Sequence, residues 1–117
     1  MKINSEVTKL IGTGLVGYIT CTYADIVKAL GEPSGTHDDY KSDAEWYIEW
    51  DDGVFATIYN YKDGINYNGK DGTPTEDITD WHIGGNDSAV VERVKTLLNK
   101  PVRYWKPGFT EMLFNFM

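Results

Sequence analysis

The sequence predicts an α+β fold in a single domain, residues 1–117, with a mainly antiparallel sheet of about five strands and two helices packed on it. Three observations predict it. In residues 44–61, AEWYIEWDDGVFATIYNY, two alternating runs flank Asp51-Asp52-Gly53, the signature of a hairpin. Shorter extended runs recur at 15–21, 78–83 and 102–106. Residues 22–30 and 88–98 instead carry apolar side chains at helical spacing.

Taken in order, residues 6–11 and 15–21 form two expected strands joined at Gly12-Thr13-Gly14. In the second, Leu15, Gly17, Ile19 and Cys21 share one side, and Val16, Tyr18 and Thr20 the other. Gly12 to Gly17 spells the dinucleotide-binding fingerprint, but that motif requires glycines that open a helix inside a β-α-β unit. Here they lead into a strand, so the match is one of letters. Thr22–Leu30 is the first helix, with Thr22 as cap and Asp25 at the capping-box position. Ala24, Ile26, Val27 and Leu30 supply its buried side, Gly31 ends it and Pro33 stops it. Lys28 suits the helix end and is a candidate phosphate contact. The polar connection 34–43 includes His37-Asp38-Asp39, three adjacent loop residues without the converging ligands an ion site needs.

The hairpin turn has two possible lengths. A two-residue loop opposes Trp50 to Phe55 and Trp46 to Tyr59. A three-residue loop with left-handed Gly53 opposes Trp50 to Val54, Ile48 to Ala56 and Trp46 to Ile58. The second gives the more apolar face and is the expected register.

Residues 60–78 make a long connection with turn signals at Asp63-Gly64, Asn68-Gly69 and Asp71-Gly72. Connections of this length are often binding loops, although a short hairpin near 65–68 would also fit. Tyr59, Tyr61 and Tyr67 sit at its mouth. A strand at 78–83 then runs through Asp80-Trp81-His82-Ile83 into Gly84-Gly85-Asn86. Asn86 or Ser88 caps the second helix, whose apolar face is Ala89, Val90, Val94, Leu97 and Leu98. The two glycines either let an anion approach free helix-start amides or merely turn strand into helix, and both readings stand. Beyond Pro101, residues 102–106 are extended, and the terminus carries Phe109, Met112, Leu113, Phe114, Phe116 and Met117. So apolar an end needs burial, on its own core or on another subunit; the latter predicts a homo-oligomer.

Charge narrows the function classes. Net charge is −7, and residues 32–87 hold fourteen acids against three lysines. Duplex nucleic acid, which requires clustered Lys and Arg, is not an expected partner. An acidic surface can instead occupy a basic site on another protein. Cys21 is the single cysteine, excluding an intramolecular disulfide and a thiolate metal cluster. No secretory signal or membrane span is legible, so a cytoplasmic location is expected. No cofactor, metal or catalytic residue is assigned: Cys21 lacks a neighbouring base, and eighteen acids pair by chance. Sixteen aromatic residues suggest a pocket or interface. Binding is therefore expected over catalysis, at Tyr59, Tyr61, Trp81, His82, Asn86, Arg103 and Lys28, with rings for stacking and Arg103 for an anion.

The segments TYADIVKALGEP (22–33), AEW (44–46), ATIYNYKDG (56–64) and DWHIGG (80–85) together resemble a widespread family of small bacteriophage proteins, identified as the first of the Thoeris anti-defence families. The resemblance covers roughly residues 15–98. It implies a sheet with helices, recessed pockets between protomers, and sequestration of a cyclic ADP-ribose-type signal without cleavage, in the host cytoplasm. The alternative is an acidic inhibitor that blocks a host defence protein by direct binding, nucleic-acid mimicry being one form of it.

Overall fold

The hairpin closes through Gly53, which is left-handed at φ +84° in the computed structural model. That model describes residues 1–4, 7, 14–34, 44–60 and 68–105. Gly53 N–H donates to Trp50 O and Trp50 N–H to Val54 O, each at 2.9 Å. The flanking strands therefore pair Ile48 with Ala56 and Trp46 with Ile58, the register of the three-residue loop.

Six strands and two helices are present among the described residues: β1 (Lys2–Ile3), β2 (Gly14–Thr20), α1 (Tyr23–Leu30), β3 (Glu45–Glu49), β4 (Phe55–Tyr59), β5 (Asp80–Gly85), α2 (Val90–Leu98) and β6 (Val102–Tyr104). The strands form one sheet in the order β1-β3-β4-β5-β2-β6, and every neighbouring pair is antiparallel. Short 3-10 turns at Gly69–Asp71 and Thr75–Asp77 precede β5.

Alternation splits the sheet into two faces. Ile19, Trp81, Ile83, Ile58, Ala56, Trp46 and Ile48 join Ile26 and Leu30 of α1 and Val90, Val91, Val94 and Leu98 of α2 in one buried cluster. Trp46 and Trp81 meet edge to face at 5.4 Å, and each indole N–H reaches a backbone carbonyl, of Gly31 at 2.8 Å and Cys21 at 3.2 Å. Buried Asn60 accepts the Ala44 N–H at 3.0 Å and fixes the start of β3 against the end of β4.

Thr22 caps α1 with a full capping box: its Oγ1 accepts the Asp25 N–H at 3.1 Å, and Asp25 accepts the Thr22 N–H at 3.0 Å. The buried stripe is Tyr23, Ile26, Val27 and Leu30, and Ala24 lies outside it, exposed, because Ile26 centres the helical face. For α2 neither Asn86 nor Ser88 caps by side chain; Asp87 Oδ1 accepts the Ala89 N–H at 2.9 Å. Ala89 is exposed and Val91 takes its place in the core, since the helix begins one residue after Ala89. The left-handed Asn99, φ 54°, closes α2 and turns the chain through Pro101 into β6.

The strand between Leu15 and Gly17 confirms a β rather than helical path after Gly14, with a bulge in its pairing to β5. β1 is an addition to the expected elements. Asn4, φ 55°, extends it with a side chain that accepts the Tyr47 N–H at 3.0 Å and donates to Glu32 O at 2.7 Å. The strand expected at 6–11, the possible hairpin near 65–68 and the apolar end 109–117 lie outside the described residues, apart from Val7 and Asn68.

Candidate functional site

The face of the sheet turned away from the helices is built from the alternate residues of the same strands. Register places Tyr18 of β2 opposite His82 of β5, and His82 opposite Tyr59 of β4. Arg103 of β6 lies beside Tyr18 on its other side. Four flat groups thus form a row across four neighbouring strands: Tyr59, His82, Tyr18 and Arg103.

Their geometry is that of stacked and tilted π groups. The Tyr59 and His82 rings lie 5.3 Å apart at 20°, and His82 and Tyr18 lie 5.3 Å apart at 57°. The Arg103 guanidinium stands 4.5 Å above the Tyr18 ring, a cation–π contact. The same guanidinium donates to both Asp80 oxygens, at 2.8 and 3.2 Å, with Arg103 53 % and Asp80 50 % exposed. The three rings are half-buried. Farther along the face, Tyr47 donates to Glu45 Oε2 at 2.7 Å; burial and then that carboxylate push the phenol well above its ordinary value.

The expected site residues divide. Tyr59, His82 and Arg103 come together. Trp81 is placed elsewhere: it is wholly buried against Trp46 and Tyr23 on the helix face, so its role is packing rather than stacking on a ligand. Lys28 is exposed on α1 and borders an open hollow with Asp25, Ala29, Leu98 and Lys100, on the helix side of the sheet. Asn86 is exposed beyond the end of β5, four residues from His82. Tyr61 lies outside the described residues. Tyr18 and Asp80 are the additions; Tyr18 was legible on the polar side of its alternating run, and Asp80 lies two residues before His82 on the same face.

Of the two glycines before α2, Gly85 serves packing. A side chain at Gly85 would place its Cβ 2.6 Å from Val90 Cγ2. The first amides of the turn are engaged locally, Val90 N–H with Asp87 O and Val91 N–H with Ser88 O, both at 3.1 Å. An anion at the helix start would have to displace these bonds.

Chemically, the row offers faces for a planar ring and a forked cation for phosphate or carboxylate. It offers no activated nucleophile among the described residues. Cys21 is buried on the helix face, and burial pushes its thiol up to about 12, leaving it protonated and inert at neutral pH. No group of three or more His, Cys, Asp or Glu side chains is placed to hold a metal ion among the described residues. No described helix is long and apolar enough to cross a membrane. Compared with known proteins, the chain matches no family model, no curated protein and no solved structure.

Proposed function

We propose that this chain binds a small nucleotide-type ligand of the cyclic ADP-ribose class on the outer face of its sheet and holds it without cleaving it. The observation that carries this reading is the Tyr59–His82–Tyr18 row ending at Arg103. Aromatic faces hold a base by stacking, worth about 1–3 kcal/mol per base, and tolerate variation in the base. Arg103 supplies the bidentate donor that a pyrophosphate takes. The resemblance to the phage anti-defence family supports the ligand class. It also supports the role: removal of a defence signal in the host cytoplasm by a homo-oligomer.

Calorimetry with cyclic ADP-ribose isomers, followed by chromatography of ligand released by heat, tests the reading. Stoichiometric uptake and recovery of intact ligand are expected. No uptake at micromolar protein overturns it, and recovery of a cleaved product makes the chain an enzyme.

One observation favours a second reading, an acidic inhibitor of a basic protein. Asp80 offsets the charge of Arg103, and Glu45 lies on the same face, so this surface has no net positive charge among these groups. With fourteen acids in residues 32–87, it suits a cationic partner surface. Stoichiometric capture that is lost as salt rises, with no nucleotide uptake, is the result that selects it.

A further inference from the structure

Arg103 is already engaged. Its fork, of a shape suited to a phosphate, donates to both oxygens of Asp80 at 2.8 and 3.2 Å. The pair is formed across an intervening strand: Arg103 on β6 and Asp80 on β5 flank β2, and the guanidinium passes over the Tyr18 ring to reach its partner. Both side chains are about half exposed, at 53 % and 50 %. An exposed ion pair is held weakly, because water and salt screen it and two side chains must be ordered to form it.

A carboxylate and a phosphate take a guanidinium fork in the same way, through two parallel N–H···O bonds. The Asp80 carboxylate thus occupies the positions that phosphate oxygens would take. The Tyr18 ring below the guanidinium is indifferent to which acceptor is present, since the cation–π contact uses the face of the cation and not its edge. It keeps Arg103 oriented while the edge changes partner.

We infer that Asp80 is an internal competitor for the anionic end of the ligand, holding Arg103 ready and yielding it only to a group that binds the fork better. This rests on the reading of the outer face as a nucleotide site. It assigns Asp80 to selectivity. A monoanionic or neutral ligand gains too little to displace the carboxylate, whereas a pyrophosphate brings more charge and more acceptor oxygens. It also separates two parts of the ligand: the base is held by Tyr59 and His82, away from the exchange, and the phosphates report on it.

The test compares the wild type, Asp80→Asn, Arg103→Gln and the double variant by calorimetry with two probes, ADP-ribose and adenosine. Both positions are half exposed, and a matched thermal unfolding scan of each variant checks that the fold is kept; Asp80→Ser serves as a second removal of the charge. Asp80→Asn is expected to tighten ADP-ribose by about fivefold, the scale of a lost exposed ion pair, and to leave adenosine unchanged. Arg103→Gln weakens ADP-ribose, and in its presence Asp80→Asn gives no gain. If the wild type binds ADP-ribose and neither Asp80 variant tightens it, the competitor role is wrong while the nucleotide reading stands. An equal gain for adenosine also overturns the role, since the effect is then not one of phosphate exchange. If no variant binds either probe, both inferences fall together.

Discussion

At the scale of single residues, two carboxylates, one in the cap of α1 and one joining the hairpin turn to α2, make stability depend on acid. Asp25 is held below the ordinary value of 3.8, chiefly by the Thr22 backbone N–H and then by the Thr22 hydroxyl. Asp52 is held below it by the Arg93 fork, which donates at 2.6 and 3.1 Å and fastens the hairpin turn to α2, with the guanidinium over Trp50. A carboxyl with a lowered folded pKa adds stability above its unfolded pKa, and that stability is lost as pH falls through the folded value. The Asp52 contribution is therefore present at neutral pH and fades below the ordinary value of 3.8. In urea unfolding, Asp52→Asn should have a lower midpoint than the wild type at about pH 7, and the gap should close by about pH 2. A gap that persists unchanged in acid would mean that the Asp52 charge is not what matters.

At the scale of elements, the chain shows why some features were legible in the sequence. The first helix carries its stops and starts locally, Thr22 with Asp25 at one end and Gly31 with Pro33 at the other. The hairpin register follows from one comparison of apolar faces around Gly53. β1 was not legible, because a two-residue strand has no period and is held by partners in β3 and by Asn4. The start of α2 was misread among Asn86, Asp87 and Ser88, all of which are able to cap: the helix starts from Ala89 without a capping side chain, and Asp87 accepts the Ala89 N–H before it. Of the candidate residues, Tyr59, His82 and Arg103 share one face. Choosing both Trp81 and His82 for one ligand conflicts with strand alternation, which sends adjacent side chains to opposite faces. His82 went to the outer face and Trp81 to the core.

The role of Gly17 belongs to this scale as well. β2 runs between β5 and β6 with α2 above it, and a Cβ at Gly17 would lie 2.5 Å from the Arg103 carbonyl oxygen and 2.8 Å from Val91 Cγ2. Only hydrogen fits between strand and helix. Gly17→Ala should destabilise the chain by about 1–3 kcal/mol through overpacking, and shift β6 with its Arg103. Gly14→Ala, at a position with nothing within 4 Å of a new Cβ, should change stability by less than about 0.5 kcal/mol. Equal effects in chemical denaturation would contradict the packing account.

At the scale of the whole molecule, the sheet divides labour between its faces. The helix face holds both buried tryptophans and the aliphatic core and explains the stability of the fold. The outer face carries the half-buried rings of Tyr59, His82 and Tyr18, the exposed Arg103–Asp80 pair and, farther along, buried Tyr47. Much of the negative charge lies in residues 32–87, so the row around Arg103 is set in an acidic chain.

The central claim is that ligand binds on the outer face, against His82. With two histidines in the chain, the His82 ring signals are readily followed by NMR during a titration with cyclic ADP-ribose. The account predicts that these signals move and saturate at a stoichiometric end point, while the amides of α1 around Lys28 stay in place. Saturable binding that leaves the His82 ring unmoved, or no binding at all, would contradict it.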